Sequence, residues 1–590
     1  MEPGQVPVTA RPADGKDVPA SHGQEGVWLA ERINPGTIAF NFPVQALRLE
    51  GELDTRALEL AFDEAVRRHE ALRTTFVERD GHPVQVVSPE SRLSLPVIDL
   101  SSMPREARGR ELNRLAIEAM EGAFDLARGP LLRISLVRWA PRLHVLLLSV
   151  HHIVFDVGSF GILLADVAAI YQARAAGREP MLAPMPAQYA DFTLWQRRCM
   201  RSVALRKQLE YWKRRLAGAS ELRFPTDRRR PASPSGRAVR ETAMLPRELA
   251  DRLKDLGRRE GVTPFVLTLA AFCVLASRYA GEEDVVVGSP VTLRRRPEVE
   301  RVVGLFANLV AIRADLSGAP TFRELLGRVR EAALGALENS DAPFDHVVRE
   351  LGAARSTRHP LFQITFAYET ASPPLAFGGL HVEFLRPDSR LGPGEDAATL
   401  GIEFDECLTR FDIETYAREV PDGLELEMQG SSDVFTRETL RSLLGSLRAL
   451  LAGVVARPDA PIAELPLLDG RDRDVIVRER NATARDYPRD STVAQIFASQ
   501  AARRPDAHAV EHGDAALTYG ELDARATRLA ATLRSLGVRR GDLVGLAVPR
   551  STDLVIGMLG ILKAGAGYVP LDPDYPPERL AFMVDDTAAG

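Results

Sequence analysis

Cysteine is nearly absent. Only Cys199, Cys273 and Cys407 occur in 590 residues, far apart, with neither metal-ligand spacing nor a disulfide framework. That usage suits a reducing cytosol. Long apolar runs are missing too: the longest, TPFVLTLAAFCVLAS (263–277), is too short and too polar at its ends to span a bilayer. No excess of positive charge exists, and a net charge of −6 gives no support for a nucleic-acid surface. The first twenty residues are polar and proline-rich, without a signal peptide, and read as a flexible lead-in over 1–19. No short-period repeat or low-complexity tract is visible. What remains is an ordinary globular composition, 45% hydrophobic and 26% charged. The length calls for about three compact units.

The patterns that are present alternate helix and strand. TRALELAFDEAVRRHEALRTTF (55–76) is an amphipathic helix running into a strand-like end, and LLRISLVRW (131–139) and RLHVLLLSVHH (142–152) read as strands. The second of these is nearly all apolar, which suits a sheet covered on both faces. A helix follows from SFGILLADVAAIYQ, with Ser159 as its expected N-cap. One long helical passage covers 191–218, then a breaker cluster, PTDRRRPASPSGR (225–237), reads as a solvated loop rather than a polyanion site. A second alternating block begins with a helix over 247–260 and a strand over 284–290. The Pro- and Asp-rich stretch 455–474 reads as a linker before a third α/β unit.

The segment LLSVHHIVFDVGS (147–159) asks for chemistry. Adjacent strand residues point to opposite faces, so one of His151 and His152 is packed inside its lobe while the other projects outward. Asp156 lies in the turn, where a carboxylate could orient an imidazole or pair with an arginine from elsewhere. A histidine at a strand end is more often a satisfied structural residue than a catalyst. Against that, a strand end just before a helix is where α/β folds place functional groups, and a neutral imidazole suits proton transfer near neutral pH. The residues alone reach as far as an acyl-transfer or proton-transfer site.

The segment also resembles HHxxxDG, the signature of condensation domains of non-ribosomal peptide synthetases. Further stretches resemble that family in order: SHGQEGVWLAERINPGTIAFNFP (21–43), RHEALRTTF (68–76), QYADFTLWQRR (188–198), VGSPVTLRRRPEVERVVGLFANLVAIR (287–313) and DAPFDHVVRELGAARSTRHPLFQITF (341–366). LTYGELDARATRLAATLRSLGVRRGDLVGL (517–546) and LKAGAGYVPLDPDYPPERL (562–580) resemble the opening of adenylation domains. The family's TSGTTG-type phosphate loop and catalytic lysine are expected beyond residue 590, so this piece reads as a fragment that binds no ATP or Mg by itself.

The resemblance implies an α/β (α+β) fold: two chloramphenicol acetyltransferase-like lobes in a V around a central tunnel, plus a partial α/β adenylation subdomain. The expected boundaries are 20–195 and 196–455 for the lobes, 456–480 for the linker and 481–590 for the last unit. It implies an acyltransferase that joins a donor thioester to an acceptor amine. Both substrates ride on phosphopantetheine arms of carrier proteins; no cofactor or metal is expected on the chain itself. His152 matches the catalytic residue, and His151 and Asp156 match structural ones. Asp156 either pairs with Arg294 of the GxPVxxR-like element or caps the following helix. Arg73 and Asn308 either shape the tunnel or serve the scaffold; Trp28 and Trp195 read as packing residues. A cytoplasmic monomer without nucleic-acid or membrane partners is expected.

The motif departs from the family at one place: Val157 stands where glycine is usual, and Gly158 comes one position late. Valine is β-branched and unsuited to positive φ, so either the turn differs or the glycine torsion is not essential. Val157 also narrows the tunnel mouth beside His152. The change is compatible with an ordinary catalyst, with unusual donor selectivity, or with a degraded site. With the SxGQ-like opening it resembles domains that follow polyketide synthase modules, whose donor carrier would dock in trans if Met1 is the natural start. Ester formation and a non-catalytic recruitment platform are the alternative activities.

Overall fold

The computed structural model describes residues 7–11, 17–42, 44–90, 93–200, 202–352, 359–370, 377–385, 390–392, 395–396 and 407–589. Parts of the expected lead-in (1–6 and 12–16), Pro43, Arg201 and residues 353–358 of the 341–366 motif lie outside them. The chain forms two compact units, Met1–Asp474 and Val475–Gly590.

The first unit has two lobes, each built on a sheet. In the N-terminal lobe five strands run in the order His381–Phe384, Gln45–Glu50, Leu143–Val150, Leu132–Ala140, Val97–Asp99. Leu143–Val150 is central and every one of its eight residues is buried. Its side chains alternate between two cores. Leu146, Leu148 and Val150 meet the helices Thr55–Arg68 and Val157–Ala175, whereas Leu143, Val145 and Leu147 meet the helix Arg105–Glu121. A sheet covered on both faces explains the unbroken apolar run. The run 55–76 resolves into the helix Thr55–Arg68, a short 3₁₀ turn Glu70–Arg73 and the strand Thr74–Arg79.

The C-terminal lobe carries seven strands in the order Ala307–Asp315, Asp284–Thr292, Ile364–Glu369, Ile413–Val420, Gly423–Ser431, Arg237–Pro246, Cys407–Leu408. Helices Pro264–Ala280 and Arg437–Ala456 contribute to its core. The latter is long and apolar enough to cross a membrane, but here Leu440, Leu443, Leu447 and Leu450 are buried in the lobe.

Several expectations change. The passage 191–218 holds two helices, Tyr189–Cys199 and Val203–Leu216, because Ser202 caps the second through the N–H of Leu205. The lead-in is partly anchored: Val8 is buried, Arg11 pairs with Glu70 at 2.8 Å and Asp191 at 3.1 Å, and Val18–Pro19 adds a strand beside Val84 and Gln85. The lobes exchange segments across residue 196. Val299, Val302, Val303, Leu305 and Phe306 join the N-terminal core, and His381–Phe384 pairs antiparallel with Gln45–Glu50. Of the expected linker, Ile462 and Leu465 are buried in the C-terminal core, because both are apolar and fill its edge.

The second unit contains the helices Val493–Arg503, Tyr519–Ser535, Thr552–Ala564 and Pro577–Thr587. A hairpin, His508–His512 with Ala515–Thr518, and a parallel pair, Leu543–Leu546 with Gly567–Pro570, complete it.

Close packing in the larger lobe is testable at Gly288. A Cβ there would lie 2.1 Å from the Phe362 ring, whose side chain is fully buried. Gly288→Ala is expected to cost about 1–3 kcal/mol, read as a lower midpoint of chemical denaturation.

Candidate active site

Helix His22–Ile33 holds the histidine turn from outside. Its Gln24 is buried and donates to the carbonyl of Ile153 at 3.0 Å, and its Glu31 accepts from His151 Nε2 at 2.7 Å. His151 Nδ1 accepts the N–H of Ile153 at 3.2 Å, which fixes the tautomer with the proton on Nε2. His151 is fully buried, packed edge-on to Phe124. It is the inward member of the pair.

His152 faces the other way, into a cavity of about 3070 Å³ lined by both lobes. Its Nδ1–H donates to the carbonyl of Phe155 at 2.5 Å, and its own backbone N–H is tied to Phe40 at 2.8 Å. The neutral ring therefore keeps its lone pair on Nε2. Desolvation, and then the nearby Arg410 guanidinium, lower its pKa from 6.5 to about 4. The bond to Phe155 and the Asp156 charge oppose this and lose.

Asp156 performs both tasks that the sequence left open. Its Oδ1 accepts from the N–H and Oγ of Ser159, both at 2.8 Å, so Asp156, not Ser159, caps the helix Val157–Ala175. From sequence Ser159 reads as the start because Val157 and Gly158 are poor helix formers. Oδ2 of Asp156 accepts from Arg294 Nη1 at 2.7 Å and from the N–H of Phe306 at 2.9 Å. Arg294 spends its other donors on Ser159 Oγ, Gly304 and Val302, and lies 4.4 Å over the Phe306 ring. Both partners of this pair are buried.

Gly158 is required by space rather than torsion. Its φ is not positive, and a Cβ there would come within 2.8 Å of Arg294 Nη1. Val157 is the first residue of the helix, also without positive φ, and exposes 64% of its surface along the cavity wall. Asn308 lines the cavity and braces it, donating to the carbonyls of Ser340 and Ala342 at 2.8 Å each. Arg73 does not reach the cavity. It lies in the 3₁₀ turn before Thr74–Arg79 and donates to the carbonyl of Ser88, so its role is in the scaffold. Trp195 is buried and stacks on Phe192, and Trp28 sits under Arg32.

Arg410 and Asp345 line the same cavity and escape the reading from sequence. Asp345 falls inside the 341–366 stretch without being singled out there, and Arg410 lies in none of the quoted motifs. Among the described residues no group of three or more His, Cys, Asp and Glu is placed to hold a metal ion.

Residues 15–477 match the family model of the Condensation domain. The chain belongs to the condensation-domain family. Residues 497–590 match the AMP-binding enzyme family, so a condensation domain is followed by the start of an AMP-binding one. This stretch carries no glycine-rich TSGTTG-type loop. The condensation domain and its follower are 40% identical to a linear gramicidin synthase of Brevibacillus parabrevis over 99% of this chain and 7% of that one. A second linear gramicidin synthase polypeptide of the same organism is 42% identical over 96% of this chain and 11% of its own length. The chain thus spans about a tenth of these relatives. The X-domain of teicoplanin biosynthesis, solved in complex with OxyB, superposes with a TM-score of 0.67 at 30% identity, covering 79% of this chain and 99% of that one. The fold is the two-lobed, chloramphenicol acetyltransferase-like architecture of condensation domains.

Two outcomes are expected. Asp156→Asn strands the buried Arg294 charge and costs about 3–5 kcal/mol of stability in equilibrium denaturation. Because the pKa of His152 lies below its ordinary 6.5, the unfolded chain takes up the proton first as pH falls. His152 therefore withdraws stability as pH drops from 6.5 toward 4, and its ¹³Cε1 resonance titrates near 4 rather than 6.5.

Proposed function

We propose that this condensation domain forms an amide between two carrier-bound thioesters, with His152 as the catalytic residue. The observation that carries the reading is the imidazole at the cavity, neutral, with Nδ1 engaged and the Nε2 lone pair unused. An α-amine has a pKa near about 7.7–8.0, so a useful fraction is already nucleophilic at cytosolic pH. Its lone pair attacks the donor carbonyl carbon, the C–N bond forms, and the carbonyl oxygen becomes O⁻. Collapse reforms C=O and breaks C–S. The ammonium proton passes to Nε2 and from there to the departing thiolate, leaving an amide and a free carrier thiol.

A base whose pKa is lowered to about 4 accepts a hydrogen bond readily but holds a proton weakly. Alignment of the amine is then a large share of what His152 does. Tethering both reactants in one cavity contributes on the order of 7–11 kcal/mol through proximity, and proton transfer about 10²–10⁴-fold. His151, Asp156 and Arg294 keep the turn in place.

The partners of this reading are an upstream donor carrier and a downstream acceptor carrier, each presenting a phosphopantetheine arm, and the chain acts as a cytosolic monomer. Its finer form is a polyketide acyl donor delivered in trans. Val157, projecting into the cavity beside His152, supports a donor different from a peptide. A second reading has an observation of its own. The likeness to an X-domain solved with OxyB favours a platform that binds another protein. Retention of His152 with its lone pair on the cavity speaks for catalysis.

Intact-mass measurement of the acceptor carrier, after mixing with a loaded donor carrier, separates amide, ester and no product. His152→Ala is expected to slow amide formation by about 10²–10⁴-fold while leaving a residual rate. Unchanged amide formation in that variant rejects the assignment.

A further inference from the structure

Every nitrogen of the buried Arg294 guanidinium has a protein partner, in four hydrogen bonds. Arg410 is the opposite case. It is exposed and lines the cavity, and among the described residues it has no hydrogen-bond or ion-pair partner. Two rings hold its guanidinium: Phe40 from the N-terminal lobe at 5.2 Å and Phe411 from the C-terminal lobe at 5.6 Å. The residue carrying the first ring also carries the carbonyl that receives the backbone N–H of His152, at 2.8 Å. The guanidinium is therefore held over two rings on the wall of the cavity that His152 faces, with its five N–H donors left for something else.

We propose that Arg410 is the cation this site turns toward the oxygen that becomes anionic when the amine attacks. The inference rests on the amide-forming reading above. An arginine held over aromatic rings is suited to this task because it is in place before the charge appears, so little reorganisation accompanies the reaction. In the tetrahedral species the carbonyl oxygen holds the negative charge and the nitrogen the positive one. Arg410 hydrogen-bonds the former while His152 Nε2 takes the proton of the latter. No electron pair or proton beyond those of the condensation is involved.

Arg410 also acts on the imidazole directly. The charged and titratable groups that act on the His152 ring are Arg410, Asp156 and, from behind the strand, His151; Arg410 and His151 disfavour imidazolium, and Asp156 favours it. His359 and Asp345, on other walls of the cavity, feel the same guanidinium. A cation at this place keeps His152 available as an acceptor while stabilising the oxyanion.

The test uses the whole chain, a loaded donor carrier and a loaded acceptor carrier, with single-turnover rates by intact mass. Arg410→Gln is expected to lose about 10²–10³-fold in rate, and the ¹³Cε1 midpoint of His152 moves up toward its ordinary value. Arg410→Lys keeps the charge, so the midpoint stays and the rate recovers at least about tenfold over the Gln variant. Arg410→Met replaces the Gln variant if that one is unfolded by near-UV circular dichroism, with the same expectations. A folded neutral variant with wild-type rate overturns the proposal. So does a loss of rate with an unmoved His152 midpoint, which would make Arg410 a scaffold residue. If the wild-type chain forms no amide, the condensation reading falls and takes this one with it; amide formation indifferent to Arg410 sinks the inference alone.

Discussion

One carboxylate holds the site together. Asp156 ends the strand–turn that carries His152, starts the helix Val157–Ala175, and receives Arg294 and the N–H of Phe306 from the segment that crosses over from the other lobe. A charge this deep is tolerable only because each oxygen is met by donors of opposite or partial positive charge. The same bonds that compensate Asp156 fix the crossover against the N-terminal core, where Val302, Val303 and Phe306 are buried. Lobe placement and imidazole placement thus share one ion pair.

The two histidines divide labour because the backbone obliges them to. His151 is consumed by Glu31 and Ile153, and its tautomer is set by those bonds. His152 uses one nitrogen for support and keeps the other for the cavity. Polar side chains next to each other in sequence end up in unlike surroundings, one sealed in the lobe and one at the cavity wall. That asymmetry is the chemical content of a doubled histidine.

Much of this is legible from residues. The unbroken apolar run 143–150 announces a covered strand, and strand alternation announces that only one imidazole looks outward. The resemblance points to Asp156 with Arg294, two residues that no local pattern connects. The helix start is hard to see because valine and glycine hide an N-terminus that the aspartate before them creates. Arg73 is ambiguous because an arginine in a turn gives no sign of which way it faces; here the backbone of Ser88 claims it. Arg410 is invisible for a related reason. It stands in TRFD, a stretch without periodicity or spacing, and its importance comes from Phe40, which only folding brings near.

The short strand His381–Phe384 has a mechanical meaning. It leaves the larger lobe's chain and is zipped along Gln45–Glu50 by four residue pairs, at the edge of the smaller lobe's sheet. Prying the two halves of the cavity apart would have to peel this strand off. Breathing of the lobes is therefore tethered on one side, and a cargo too wide for the passage meets a clasp that must unfasten as a unit rather than stretch by degrees.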